Sequence, residues 1–351
     1  MATQTSNGTN TKILITGASG QYGRLAVEGL LARGIPPSSL LLLTRNPTKL
    51  SAYAQRGLCI RQGSFDDPVA SLAAAFAGAS TMLLISTSRA GARLPQHRTA
   101  IDAAAAAGVA HVVYTSIVSA ERAAPTALVG REHRDTEAML KEISASATAG
   151  AMKWTALRDA QYAEAMADVA APAAVEAMAD VAAPAAVEAG ALRCNSGDGK
   201  VAFVARADCV AAAVAVLCDP APHADRAYAI TGPELLSWRD AARVMGEVAG
   251  RGSDGVVFES LTDEEMFATF DAVGIPREPV DDLVVGGYPW NSSDMVSFGK
   301  ATRLGEMEVI SGDVEMLTGR PPKSFREVLE ESWARRKAAS AAAAAAAAGQ
   351  V

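Results

Sequence analysis

The chain has 351 residues and a net charge of −7; half its residues are hydrophobic and 5% are aromatic. That length can bury a full core, and the acidic balance argues against a nucleic-acid binder, which shows a basic footprint. No apolar run approaches the ~18 residues that cross a bilayer, and Cys59, Cys194, Cys209 and Cys218 form no CxxC pair, so a reduced, cytoplasmic protein without a metal site or membrane contact is expected.

Residues 1–11 lack an apolar signal core and are expected to be a disordered leader. After them, short β-rich runs alternate with helical runs. Strands are predicted at 12–16, 40–44, 58–62, 81–86, 111–115 and 153–157, with helices at 22–33, 47–55, 68–77, 95–107 and 131–143. Uniformly apolar strands separated by helices imply a parallel sheet covered on both faces. Asp67 before Pro68 reads as a helix cap with proline at the first helical position.

The first strand runs into TGASGQYG, with Gly17, Gly20 and Gly23. Gly17 permits the tight turn, Gly20 lets backbone approach a phosphate, and Gly23 lets the helix pack on the sheet. The helix start then offers free N–H groups and a positive dipole end to a pyrophosphate, so Gly17, Ala18, Ser19, Gly20, Gln21, Tyr22 and Gly23 are candidate cofactor contacts. No Gly-Lys-Ser/Thr follows, which excludes a P-loop. The second strand ends LLLLTRNPTKL, with Arg45 where an NAD enzyme would carry an acid. A guanidinium pairs two-pronged with a 2′-phosphate, which favours NADP(H); the plainer alternative is a surface arginine opening the next helix.

EAMADVAAPAAV occupies 164–175 and repeats letter for letter at 176–187. Two copies are too few for a solenoid, a twelve-residue shift rotates the apolar face by 120°, and Pro172 and Pro184 are expected to break any helix. The segment is expected to bulge near the substrate side. In TDEEMF, Asp263, Glu264 and Glu265 read as a first helical turn capped by Thr262. The end, AASAAAAAAAAGQV, is low complexity.

From about residue 12 to about residue 330 the chain resembles the NmrA-like atypical short-chain dehydrogenases, in their quinone oxidoreductase and triphenylmethane reductase branch. The likeness is carried by TGASGQYGR, TRNPTKL, GSFDDPVASLAAAFAG, LLIST, PQHRTAIDAAAAAGVAHVVYTS, EHRDTEAML, LRDAQY, GKVAFVARADCVAAA, AYAITGPELLSWRDAA and TGRPP, in that order. It implies an α/β fold: a Rossmann-type, doubly wound parallel sheet over 12–158, a smaller α/β C-terminal substrate part over 159–336, and a low-complexity tail at 337–351. It also implies cofactor contacts from Ser86, Thr87 and Ser88, a nicotinamide beside Thr115 and Ser116, and LRDAQY lying over it. Arg206 and Asp208 would sit near the same cleft, or else form an ion pair or cap. The family's usual Asn-Gly-Trp reads Asp159, Ala160 and Gln161 here, ahead of Tyr162, which removes a flat stacking surface. Ser64 stands where the family often has an Asp that meets the adenine.

The Tyr-x-x-x-Lys pair of the main dehydrogenase group is absent: Ala26, Gly57, Val118, Met166, Gly232 and Ser292 follow the six tyrosines at that spacing. A quinone needs no such pair, since orientation and water exclusion do most of the work. The expected function is therefore NADPH-dependent hydride transfer to a quinone or related polycyclic aromatic or conjugated carbonyl compound, in secondary metabolism. The alternative is an NmrA-like redox sensor that binds the cofactor and a regulatory protein. Tyr162 is the candidate substrate-facing donor, with a core aromatic as the plain alternative. His133 is a candidate proton relay, with an exposed helix residue among the pairs Arg131–Asp135 and Glu137–Lys141 as the ordinary reading. The expected partner is the small-molecule substrate, and a homodimer is the assembly left open.

Overall fold

A computed structural model describes residues 12–89, 91–146, 151–167, 183–272, 274–279 and 291–348. The central sheet is formed by β1 (Lys12–Ile15), β2 (Leu40–Thr44), β3 (Cys59–Gln62), β4 (Ala79–Leu84), β5 (His111–Ile117), β6 (Lys153–Asp159) and, from later in the chain, β9 (Arg226–Ile230). Its seven strands lie in the order β3-β2-β1-β4-β5-β6-β9, all parallel. The order reverses between β1 and β4, and ligands bind at such switch points in doubly wound sheets.

Alternation along the strands divides the apolar side chains between two cores. Ile13, Ile15, Leu40, Leu42, Leu83 and Val113 face α1 (Gln21–Ala32) and α8 (Arg206–Cys218). Leu14, Leu41, Leu43, Met82, Leu84 and Val112 face α3 (Val69–Phe76), α4 (Arg93–Ala106) and α5 (Leu128–Ser144). The four leucines of β2 are each 3% exposed or less, and burying each contributes roughly 1.5–3 kcal/mol. This double coverage explains why the strands read as apolar throughout.

Most predicted elements sit within a few residues of their places, with instructive differences. The 47–55 helix is a 3-10 turn at Pro47–Leu50, capped by the Asn46 side chain, followed by α2 (Ser51–Gln55). Asp67 does not cap α3: its carboxylate accepts from Ser64 N at 2.8 Å, and Pro68 itself is the N-cap, with φ −57° and ψ 143°. The short aspartate side chain closes the turn before it rather than the helix after it.

The C-terminal part comprises α6 (Ala163–Ala167), α7 (Ala183–Ala189), β7 (Ala191–Cys194), β8 (Lys200–Val201), β10 (Leu236–Ser237), α9 (Trp238–Val248), β11 (Val257–Ser260), α10 (Asp263–Ala272), α11 (Ser292–Arg303), α12 (Asp313–Thr318) and α13 (Phe325–Ala348). β7 pairs with β11 in parallel and β8 with β10 in antiparallel fashion. Residues 168–182 of the duplicated stretch, Pro172 among them, lie outside the described residues. Pro184 falls in the first turn of α7 and does not break it, because a proline there has no intrahelical N–H bond to lose. Thr262 caps α10 as expected: its hydroxyl accepts from Glu265 N at 3.1 Å, and Glu265 accepts from Thr262 N at 2.7 Å.

One junction between the two parts bears on the site. The start of α5 has no side-chain cap of its own. Its amides donate instead to α11, Leu128 N to Ser297 Oγ at 3.0 Å and Val129 N to Asp294 Oδ1 at 3.1 Å. The orphan donors of one helix thus fix the position of another, and α11 brings Phe298 to the end of the sheet.

Candidate active site

The bend after β1 holds Gly17 at φ +56°, a conformation glycine adopts without strain. Ala18 N donates to Leu43 O at 3.2 Å and Gly20 N to Gly17 O at 2.9 Å, tying the turn to β2 and to itself. A Cβ on Gly23 would lie 2.5 Å from Gly17 O, so helix and turn are in backbone contact there. No side chain caps α1 and its first turn holds no acid. Its leading N–H groups therefore suit an anion, and the cradle fits a pyrophosphate.

Arg45 is exposed at the end of β2. Arg24, which the sequence reading passed over, reaches the same end: its Nε donates to Ser19 O at 3.1 Å and its Nη2 to Lys49 O at 2.7 Å. Ser19 Oγ accepts from the Thr44 hydroxyl at 3.2 Å. Ser64, in its aspartate-like position, donates to Asp66 at 3.1 Å.

Past β4, Ser86 N donates to Thr115 Oγ1 at 2.9 Å, and Thr87 N to His97 Nε2 at 3.2 Å. Accepting that bond leaves the proton of His97 on Nδ1, where it meets Thr136 Oγ1 at 2.9 Å. Burial and the Arg93 charge push His97 down to about 3, so the ring stays neutral. Ser88 is exposed just beyond.

Between these segments lies a cavity of about 390 Å³. Ile85, Ile117, Ala160 and Phe298 give it apolar walls, and Tyr22, Ser86, Thr115, Ser116, His133, Asp159, Gln161 and Tyr162 give it polar groups. The Ser116 hydroxyl donates to Glu137 Oε1 at 2.7 Å, and Glu137, 1% exposed, also takes a two-pronged bond from Arg158 at 2.9 and 2.8 Å. That ion pair stiffens the floor under the cavity.

His133 is 6% exposed, not an outward helix residue. Its Nδ1 meets the Tyr114 hydroxyl at 2.6 Å. Burial raises the Tyr114 hydroxyl far above its ordinary value, so both partners of this bond are neutral and its direction follows the imidazole tautomer. Burial, with Arg93 and His97 nearby, holds His133 well below its ordinary range, so the ring is neutral at neutral pH. Of its expected helix pairs, Glu137–Lys141 is present at 3.5 Å, while Arg131 donates to Pro125 O.

Tyr162 lines the cavity, and its hydroxyl donates to Asp159 Oδ2 at 2.7 Å. Burial pushes the Asp159 carboxyl up to about 7, partly offset by the Tyr162 hydroxyl and the Cys209 thiol. The Tyr22 hydroxyl donates to Cys209 O at 3.1 Å, closing this cluster against α8. Arg206 lies over the Tyr162 ring with its guanidinium carbon 5.0 Å from the centroid. Asp208 is turned away from the cavity and pairs with Arg320 at 2.6 Å and Lys323 N at 2.7 Å, the plainer of its two expected roles.

A family model described as NAD(P)H-binding matches residues 17–183. Quinone oxidoreductase 2 of Escherichia coli K12 is 34% identical over 271 residues, covering 77% of this chain and 85% of that protein. The chain belongs to the NmrA-like atypical short-chain dehydrogenases. Among solved structures, the Escherichia coli NADPH-dependent quinone oxidoreductase complexed with NADPH superposes with a TM-score of 0.76 at 30% identity, over 92% of this chain and 99% of that one. The Citrobacter sp. triphenylmethane reductase complexed with NADP(H) gives 0.75 at 27% identity, over 92% and 100%. This NmrA-like chain is an oxidoreductase with a Rossmann-type sheet and a smaller α/β C-terminal part. Phe298 and the Glu137–Arg158 pair were not singled out from sequence. Phe298 has no local signal, because only the docking of α11 on α5 carries it to the sheet. Glu137 and Arg158 could have been found as a charge pair on two buried elements.

Proposed function

We propose that this chain is an NADPH-dependent reductase that transfers hydride to a quinone or a related polycyclic aromatic or conjugated carbonyl compound, in secondary metabolism. The observation that carries this reading is the cavity itself. It opens at the carboxyl ends of β4, β5 and β6, beside the uncapped start of α1, and its walls are apolar with a few convergent polar groups. Its volume of about 390 Å³ is in the range of small-molecule sites.

In this reading Gly17 to Gly23 hold the pyrophosphate, Arg45 with Arg24 holds the 2′-phosphate, and Ser86, Thr87 and Ser88 hold the nicotinamide-side ribose. Thr115 and Ser116 lie against the nicotinamide. Bound NADPH supplies a hydride from its C4. The chain's own part is to align two flat rings and keep water out, which Ile85, Ile117 and Phe298 are placed to do. His133 lines the cavity as a neutral imidazole, and Tyr162 borders the acceptor.

The test is to mix purified protein with NADPH and a panel of quinones and follow loss of reduced-nicotinamide absorbance. Acceptor-dependent oxidation is expected. No oxidation with any acceptor, together with tight binding of both oxidised and reduced cofactor, would overturn this reading in favour of a redox sensor.

A further inference from the structure

Asp159 ends β6 on the cavity wall and is 4% exposed. Its Oδ2 accepts from the Tyr162 hydroxyl at 2.7 Å. Its Oδ1 is buried and meets no N–H or O–H donor among the described residues. Among the described residues the titratable groups around the carboxyl are Tyr162 on its own segment, Tyr22 from α1 and Cys209 from α8, and none of these is a cation. Glu164 from α6 adds a negative charge near Cys209 and accepts from Arg206 N at 3.0 and 2.9 Å, while the Arg206 guanidinium sits on the Tyr162 ring. Arg158, the next residue back, is committed to Glu137, with Glu121 at 3.7 Å; neighbouring strand residues face opposite sides of the sheet.

An ionised carboxylate here would have only the Tyr162 hydroxyl and the weak Cys209 thiol to hold its charge, a costly arrangement in a buried site. A neutral acid fits, with the Tyr162 hydroxyl at its Oδ2 and no second N–H or O–H donor among the described residues to hold a charge. Burial moves the group in that direction, up to about 7. We infer that Asp159 is the catalytic acid of this site, its carboxyl proton passing to the oxygen of a carbonyl acceptor as hydride reaches the conjugated carbon. The inference rests on the hydride-transfer reading above. The acceptor gains a C–H bond with the two electrons of the hydride. Its C=C π pair shifts to the bond beside the carbonyl carbon, and the C=O π pair moves onto oxygen and forms an O–H bond with the Asp159 proton. The carboxylate left behind is held by the Tyr162 hydroxyl and the Cys209 thiol and regains a proton from water. The sum is acceptor plus NADPH plus a proton, giving reduced acceptor plus NADP⁺.

The experiment uses the full chain as wild type, Asp159→Asn and Tyr162→Phe. The first readout is the infrared carboxylic-acid stretch of the protein without substrate. It should titrate near neutral pH in wild type, vanish in Asp159→Asn, and titrate at higher pH in Tyr162→Phe, because that variant lacks a donor to the charged form. The second readout is turnover of two acceptors, a neutral quinone or enone and a triphenylmethyl cation dye, which takes hydride without needing a proton. In Asp159→Asn the ratio of carbonyl to cation turnover should fall by roughly 100-fold. In wild type that ratio should fall as pH rises through neutrality. An unchanged ratio in Asp159→Asn, or no carboxylic-acid band in wild type at mildly acidic pH, overturns the acid alone. Wild type inert toward both acceptors overturns the reductase reading, and the acid with it. Far-UV circular dichroism and NADPH affinity of each variant separate these results from misfolding.

Discussion

Gly23→Ala is the sharpest probe of the cofactor cradle. The added Cβ would lie 2.5 Å from Gly17 O and 2.7 Å from Ala18 Cα, against an ordinary contact of 3.4 Å or more. Both atoms are backbone, so no side chain can rotate away, and α1 and the turn must separate by roughly 1 Å. The turn is anchored by Ala18 N to Leu43 O at 3.2 Å and Thr16 N to Leu83 O at 3.1 Å, which resist that shift. Overpacking of this kind costs about 1–3 kcal/mol, which lowers Tm by roughly 2–12 °C for a domain of this size. A 1 Å displacement also takes an amide out of good hydrogen-bond range of a phosphate oxygen. Losing one such charge-assisted bond, about 1.5–3 kcal/mol, weakens NADPH binding roughly 10- to 100-fold. Titration calorimetry and thermal melts measure both effects. Gly29→Ala is the control on the same helix: its Cβ would meet the Val214 Cγ2 methyl at 2.9 Å, so it should cost stability and leave affinity alone. Gly23→Ala binding NADPH within about twofold of wild type would refute the reasoning.

Three further outcomes follow from the same geometry. Glu137→Ala leaves Arg158 with only Glu121 at 3.7 Å and frees Ser116, and should lower urea-unfolding stability by about 2–4 kcal/mol; a loss under about 1 kcal/mol would show the pair contributes little. Arg45→Ala should weaken NADPH roughly tenfold while NADH affinity holds, as read by calorimetry; equal losses for both cofactors would remove Arg45 from the 2′-phosphate. Burial holds His97 to about 3, His111 to about 4 and His133 well below the ordinary value, so the unfolded chain binds more protons than the fold as pH drops below about 6.5. Each histidine then takes away up to about 1.4 kcal/mol per pH unit, while Asp159, raised to about 7, opposes them once. Urea midpoints should therefore fall from pH 7 to pH 5.5, and a flat or rising profile would contradict the burial of these rings.

The sheet was legible because its strands are buried on both faces, and LLLLT or HVVYT allows little else. The glycine bend was legible because backbone geometry restricts those positions to one residue type. β9 was not: RAYAI is a short edge strand whose partner, β6, lies far back in the chain. His133 was half-legible. The helix was read correctly, but its buried side depends on Tyr114 from β5 beneath it, and a charged-looking run hid that. The Asp159–Tyr162 bond is local, whereas its surroundings come from Tyr22 and Cys209, 187 positions apart. Sequence supplied the departure from the family's asparagine; only the packing shows that the resulting carboxyl is dry.

The seventh strand has a consequence for how the protein is made. β6 is complete at Asp159, but its outer neighbour begins only at Arg226. At 5–20 residues per second, a ribosome needs about 3–13 s to supply that neighbour. Until then the nascent sheet carries an unsatisfied flank that can recruit other chains. Both copies of EAMADVAAPAAV are translated inside this interval, and a further copy would prolong the vulnerable window by about 1–2 s.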